Sequence, residues 1–578
     1  KKEYKMIVRI KNAKVYDPTN KVDGRIKDIF IKDGKIIKRP NPKEKISQVI
    51  NLKNKIVMPG GIDIHSHIAG GKVNLARLLL PEEHRKYLYS STNNLRSGSG
   101  LGTCTSFHIG YKYAKLGYTA VFEPASLPAN ARSTIIEMSD IPLIDKGCYT
   151  VLGNDDFLLN LIQKKTSQKK INDYVAWILT STKGLGIKIV NPGGINAFKF
   201  NQRELDLDAK NKKYGITPRS ILKILTKSLI DLKAPHPIHV HGCNLGVPGN
   251  VKTTLKQISA VEGKPMHLTH IQYHSYSNEG DRNFSSGAAI LAESINKNKN
   301  ISCDIGQVMF GQTVTTSADT MSQYRNHSFA HPKKWICADI ECEAGCGIIP
   351  FEYRDKNYVN ALQWAIGLEL FLLIKDPWRV YLTTDHPNGA AFTAYPRLIK
   401  LLMDRSFRNE ELEKINKDSQ NNSILKSLKR EYSLYEIAIL TRSGPAKILG
   451  LNNIGHLGEG AKADITVYTE HQDKEKMFEN PFLVFKDGQI IVKNGTIKKV
   501  INGKLYIGIT TFFNKYTLIS NWSNNQELID TLHASMHIPY YCTYRKPLKY
   551  GLVIDACFSN IFYKFDKNTC YKEDTNNY

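Results

Sequence analysis

At 578 residues the chain exceeds one ordinary hydrophobic core, so two or three domains are expected. Its 41% hydrophobic and 23% charged residues are the balance of a soluble globular protein; no window reaches a membrane span and the Lys-rich start lacks an apolar signal core, which predicts a cytoplasmic location. The formal charge of +26 comes from scattered runs such as Lys164-Lys165, Lys169-Lys170 and Lys212-Lys213, not from one stripe interleaved with aromatics, so no nucleic-acid partner is predicted.

Residues 1–57 read as short strands and turns. Ile7-Val8-Arg9-Ile10 leads to Val15-Tyr16-Asp17-Pro18, and Ile29-Phe30-Ile31 passes through Asp33-Gly34 into Ile36-Ile37, an Asp-Gly hairpin. The middle, 58–450, alternates apolar strands with amphipathic helices, the pattern of an α/β chain with a parallel (β/α)8 barrel. Eight strands are predicted, at 62–67, 118–123, 148–152, 186–190, 237–243, 266–271, 301–305 and 380–385. Helices are predicted over 218–231, with Thr217 as cap before Pro218, and over 361–374. The stretch 310–350 is expected to form loops over the barrel mouth. The hairpin pattern returns in 451–504, with Asp487-Gly488 between Leu483-Val484-Phe485 and Ile490-Ile491-Val492. The two sets, 1–57 and 451–504, predict one small β-sandwich built from both ends of the chain. The aromatic-rich tail 505–578 is expected to be a C-terminal extension that contacts a partner subunit or packs on its own barrel.

The ten cysteines show no Cys-x-x-Cys. Cys342 and Cys346, four apart, are weak evidence for a metal site, and no iron–sulfur cluster is expected in this chain.

The chemistry is written at the strand ends. His65 and His67, two apart on the first barrel strand, share one face and can bind one cation. Lys188 interrupts the apolar run Gly186-Ile187-Lys188-Ile189-Val190. An inward lysine there is pushed toward the neutral amine, which can add carbon dioxide to give a carbamate able to bridge two metals; the plainer reading is a lysine snorkelling to the rim. His239 and His241 share a face of the fifth strand, and only one is needed. His267 and His270 fall on opposite faces by alternation, so one of them is expected to point inward. Asp385 stands at the tip of the eighth strand. Imidazole and oxygen ligands suit zinc, and two metals would polarise a carbonyl and acidify a water whose proton Asp385 accepts and passes to a leaving amine. Asn191, Asn388, Tyr276 and Arg282 follow these strands and are candidates to grip a substrate, each with an equally simple role in holding a loop.

These residues resemble the amidohydrolase superfamily, with its His-x-His, carboxylated lysine, two single histidines and aspartate; 443–451 and 455–460 resemble it too. A closer resemblance is to the large amidohydrolase-like subunits of the formylmethanofuran dehydrogenases of methanogenic archaea. It is carried by Gly60-Gly61-Ile62-Asp63-Ile64-His65-Ser66-His67-Ile68-Ala69-Gly70-Gly71-Lys72, Lys188-Ile189-Val190-Asn191-Pro192-Gly193-Gly194, Thr269-His270-Ile271-Gln272-Tyr273-His274 and Thr383-Thr384-Asp385-His386-Pro387-Asn388.

The resemblance implies a metal-dependent-hydrolase barrel holding two zinc ions on His65, His67, His241 and His270, bridged by carboxylated Lys188. Asp385 is then both ligand and acid/base. It selects His241 over His239 and His270 over His267. It also implies condensation of formate with methanofuran to N-formylmethanofuran, reversibly, in the first step of carbon dioxide reduction in methanogenesis. Partner subunits would carry the tungsten- or molybdenum-pterin and the iron–sulfur clusters. The competing readings are a stand-alone cyclic amidase of the dihydroorotase or hydantoinase kind, and a non-catalytic scaffold within the same complex.

Overall fold

A computed structural model describes residues 7–88, 100–280, 282–317, 334, 336–337 and 347–498, together with three short strands beyond 506. Lys55–Pro59 is the strand that joins the two ends of the chain. It pairs in parallel with Ile7–Asp17 and antiparallel with Ile465–Thr469. The resulting nine-stranded sheet also takes in Val22–Lys32, Lys35–Ile37, Ile46–Asn51, Leu483–Lys486, Gln489–Lys493 and Thr496–Ile497. Buried Ile10, Val15, Ile31, Val57, Ile465, Val467 and Phe485 form its core. Both predicted Asp-Gly turns are present. Asp33 and Gly34 have φ of 51° and 75°, and Asp487 and Gly488 have 49° and 75°, the two positive angles that a tight hairpin matching strand twist requires.

The chain then enters the barrel. Its eight strands are Gly61–Asp63, Tyr118–Ser126, Asp145–Val151, Gly186–Val190, Ile238–His241, Met266–Leu268, Ile301–Asp304 and Val380–Tyr381. All are parallel, and each neighbours the next in chain order. A parallel bridge between Ser66 and His386, with the His67 N–H donating to the His386 carbonyl at 2.7 Å, joins the first strand's end to the last's and closes the ring. Every predicted barrel strand is found. The helix Pro218–Asp231 has its predicted start, Thr217 accepting from the Ser220 N–H in a capping box. The helix predicted over 361–374 spans Tyr358–Leu373, capped by Asn357. Among the described residues no helix is long and apolar enough to cross a membrane.

The stretch 310–350 is not a set of loops. Gly311–Ser317 and Gly347–Tyr353 form an antiparallel pair, and Ile336–Cys337 adds to the latter. Thr and Ile dominate both long strands, residues that fit a pleated, half-buried surface. Val314 and Ile348 turn inward onto Ala76, Ala125 and Val190 at the barrel's carboxyl end. Residues 318–333 and 338–346, with Cys342 and Cys346, lie outside the described residues. So does most of 505–578, where Tyr516–Ile519, Ile507–Thr511 and Val553–Ile554 form a small antiparallel sheet within a separate compact unit.

Gly186 opens the strand that carries Lys188, and it is a close-approach glycine. A Cβ there would sit 1.7 Å from Cε1 of His236, whose ring is wedged against the carbonyls of Leu185 and Pro237. Gly186→Ala is expected to destabilise the fold by about 1–3 kcal/mol through overpacking, read as a lower denaturant midpoint at unchanged slope.

Candidate metal centre and active site

All six predicted site residues, His65, His67, Lys188, His241, His270 and Asp385, line one cavity of about 500 Å³ at the carboxyl ends of the strands. His65 and His67 follow the first strand, Lys188 lies within the fourth, His241 ends the fifth, His270 follows the sixth and Asp385 follows the eighth. Asp385 Oδ1 lies 2.9 Å from His65 Nε2 and 3.4 Å from His67 Nε2. The His270 ring centroid is 5.2 Å from that of His65 and 4.6 Å from that of His241. One ligand atom each from His65, His67 and Asp385 falls within a 4.8 Å cluster. Among these, His65 Nε2, His270 Nδ1 and Asp385 Oδ1 are buried without a hydrogen-bond partner among the described residues. Orphaned buried lone pairs converging on one point are costly unless a cation fills it, so the donor set fits a metal.

Two buried carboxylates aim these ligands. Glu123 Oε1 accepts from His67 Nδ1 at 3.0 Å, while its Oε2 accepts from the Ile68 and Ala69 N–H groups at 2.7 and 3.1 Å. Asp304 Oδ2 meets His65 Nδ1 at 3.2 Å and His267 Nε2 at 3.1 Å, and its Oδ1 accepts from Thr383 and the His270 N–H. A carboxylate that takes the Nδ1 hydrogen leaves the Nε2 lone pair facing the cavity, the usual arrangement behind a metal-bound histidine. Burial pushes the Asp304 carboxyl up, but the His65 and His267 rings outweigh it and hold it well below the usual range. Asp385 behaves likewise: burial raises it, and His65 and His270 bring it well below. At Lys188 burial lowers the amine to about 8 against the pull of Asp304 and Asp385, and its ammonium nitrogen meets Thr269 Oγ1 at 3.1 Å. Glu123→Gln and Asp304→Asn are each expected to weaken metal affinity about 10–100-fold, measured by metal titration of the apo chain.

Strand alternation misjudges one pair. His267 and His270 both face the barrel interior, at different depths. The strand ends at Leu268 and His270 adopts φ 37°, which turns its ring back to the cavity, while His267 stays below it on Asp304. His239 occupies the same lower layer, stacked on Tyr149 at 4.2 Å and next to His267 at 4.4 Å, as layered barrel interiors require. Asp385 also has a positive φ, 50°, a conformation rare for non-glycine residues and concentrated at functional sites.

Of the four substrate-gripping candidates, only Asn388 lines the cavity. Tyr276 is buried away from it, its hydroxyl accepting from Gln272 and Gln363, and Arg282 is a surface residue paired with Asp418. The Asn191 N–H donates to the His241 carbonyl at 2.9 Å, and Asn191 is absent from the lining. The lining also includes Lys72, Leu245, Tyr273, Thr315 and Tyr353, which the sequence reading missed. Glu123 and Asp304 were legible: each is an acidic residue at or near the end of a predicted apolar strand, as Asp385 is. Thr315 and Tyr353 carried no such signal, because they arrive on the mouth sheet.

The amidohydrolase family matches residues 48–492. The FhcA component of the formyltransferase/hydrolase complex Fhc from Methylorubrum extorquens is 43% identical over 505 residues, covering 86% of this chain and 90% of that protein. Protein FwdA from Methanocaldococcus jannaschii is 42% identical over 520 residues, with the same coverage. A crystal structure of the M. extorquens FhcABCD complex with methylofuran superposes with a TM-score of 0.81 at 42% identity, covering 86% of this chain and 90% of that one. A dihydroorotase from Elusimicrobium minutum matches over 60 residues only, 10% of this chain. Since the family match runs through the composite sheet and the whole barrel that carries the cavity, the chain belongs to the amidohydrolase family.

Proposed function

We propose that this chain is the amide-handling subunit of a multi-subunit formyl-transfer complex. It interconverts the N-formyl amide of a methanofuran- or methylofuran-type amine with formate and the free amine. The observation that carries this reading is the single cavity in which all six expected residues meet, in a chain 42–43% identical over most of its length to two such subunits. The dihydroorotase-like reading has support over only 60 residues. The converging donors speak against a scaffold that has lost its site.

In this reading His65, His67, His241, His270 and Asp385 hold two zinc ions and a carboxylated Lys188 bridges them. The metal pair, when bound, supplies Lewis-acid charge to the formyl group and lowers the pKa of a water. Asp385 Oδ1 faces this point and takes the proton of the attacking water. It then delivers that proton to the amine as the C–N bond breaks, so amide plus water gives amine plus formate. Glu123 and Asp304 hold His67 and His65 in place, and Leu245, Val190, Tyr273 and Tyr353 wall off bulk water, which the uphill condensation needs. In the condensation direction the step opens carbon dioxide reduction in methanogenesis, with formate made by a tungsten- or molybdenum-pterin subunit beside iron–sulfur subunits. A cytoplasmic location, and a partner contact through 505–578, belong to the same reading.

The test is formate release from the N-formylated carrier by the full chain with zinc and bicarbonate, alone and with its partner subunits. Zinc-dependent release, with dihydroorotate and hydantoin left intact, is the expected result. Hydrolysis of the cyclic amides instead would overturn it.

A further inference from the structure

The Asn388 side chain is gripped from two sides. Its Oδ1 accepts from the Thr316 N–H at 2.6 Å, and its Nδ2 donates to Asp385 Oδ2 at 2.9 Å. A backbone N–H only donates and a carboxylate only accepts, so the network itself fixes which end of the amide is which. One Nδ2 hydrogen is used on Asp385. The second belongs to a buried residue on the cavity wall.

The other neutral donors on that wall are spent. Tyr353 donates its hydroxyl hydrogen to the Asn388 carbonyl at 3.0 Å. Its oxygen must therefore accept in the 3.2 Å contact with Tyr273, which uses the Tyr273 hydrogen as well. Thr315 donates to the Ile349 carbonyl at 3.4 Å. Thr313 bonds the Pro387 carbonyl, so the mouth sheet clamps this loop at three successive points.

We infer that the second Nδ2 hydrogen of Asn388 is the chain's own neutral donor to the formyl oxygen, and that the mouth sheet exists in part to hold it there. The inference rests on the formyl-amide reading above. When water adds to the formyl carbon, the C=O π pair moves onto oxygen and charge builds there. A donor fixed beforehand gains strength at that moment without reorganising, and removing one such donor costs about 10²–10³ in kcat. The same hydrogen serves formate in the product complex.

The experiment compares the wild-type full chain, loaded with zinc in bicarbonate, with Asn388→Ala. Four quantities are measured: kcat and KM for formate release, zinc content, and formate affinity by titration calorimetry. The expected result is a kcat lower by about 10²–10³-fold, KM within about threefold, unchanged zinc, and formate bound about tenfold more weakly. Asn388→Ser repeats the comparison if alanine disturbs the loop. Unchanged kcat and formate affinity would overturn the inference. So would a loss of kcat that follows loss of zinc, because Asn388 would then act only by holding Asp385. A wild-type chain that neither releases nor binds formate fails the formyl-amide reading itself, an outcome distinct from an active wild type matched by its variant.

Discussion

Asp385→Asn is expected to lower formate release by about 10³–10⁴-fold while leaving most of the metal in place. The carboxylate does two jobs with two oxygens. Oδ1 looks toward His65 and His67 from 2.9 and 3.4 Å, and Oδ2 is tied to Asn388 at 2.9 Å. Held well below the usual carboxylate range by His65 and His270 against the effect of burial, it stands ionised at neutral pH and ready to accept a proton. Asparagine keeps the shape and the tie to the loop but cannot shuttle the proton. Asp385→Ala removes the ligand atom too, and is expected to add a loss of metal to the loss of rate. Steady-state formate release beside zinc content separates the two effects. An Asp385→Asn chain with full zinc and more than a tenth of wild-type activity would remove Asp385 from the proton-transfer role.

Lys188→Ala is expected to cost about 10³-fold or more in rate, together with the metal pair, since Lewis-acid stabilisation is worth several kcal/mol. The reason begins with burial. A lysine amine at its ordinary value of 10.5 is almost wholly charged at neutral pH, whereas one lowered to about 8 is about one-tenth neutral at pH 7. Only the neutral amine attacks carbon dioxide, forming an N–C bond and releasing a proton to leave a carbamate. Reactivation of the metal-stripped chain by zinc is therefore expected to depend on bicarbonate and to quicken as pH rises through about 8. Carbon-13 bicarbonate is expected to give a carbamate signal that Lys188→Ala lacks. Full reactivation in carbonate-free buffer would mean that the lysine binds as the free amine or not at all.

Much of the barrel was legible because its strands are short, apolar and separated by helices, and because ionisable residues are expensive inside such strands. His65, His67, Lys188 and Asp385 stood out for that reason: each breaks an apolar run at or near a strand end, and period-two alternation states which face it shares. Alternation fails where the strand stops. His270 lies two residues beyond Leu268 with a left-handed backbone, so its direction is set by the turn and by Asp304 accepting from its N–H. His239 and His241 share a face, and only their depth along the barrel axis tells a core residue from a cavity residue.

The sequence by itself determined the alternating barrel, the hairpins at both ends and the identity of the groups able to bind metal, because burial and periodicity are local properties of a strand. The tertiary structure decided which of those groups meet. It also decided that Glu123 and Asp304 stand behind the histidines, and that a sheet from 311–353 reaches across the mouth to grip Asn388. Such partners lie tens to hundreds of residues apart along the chain, and only closing the ring of strands brings them within hydrogen-bond distance.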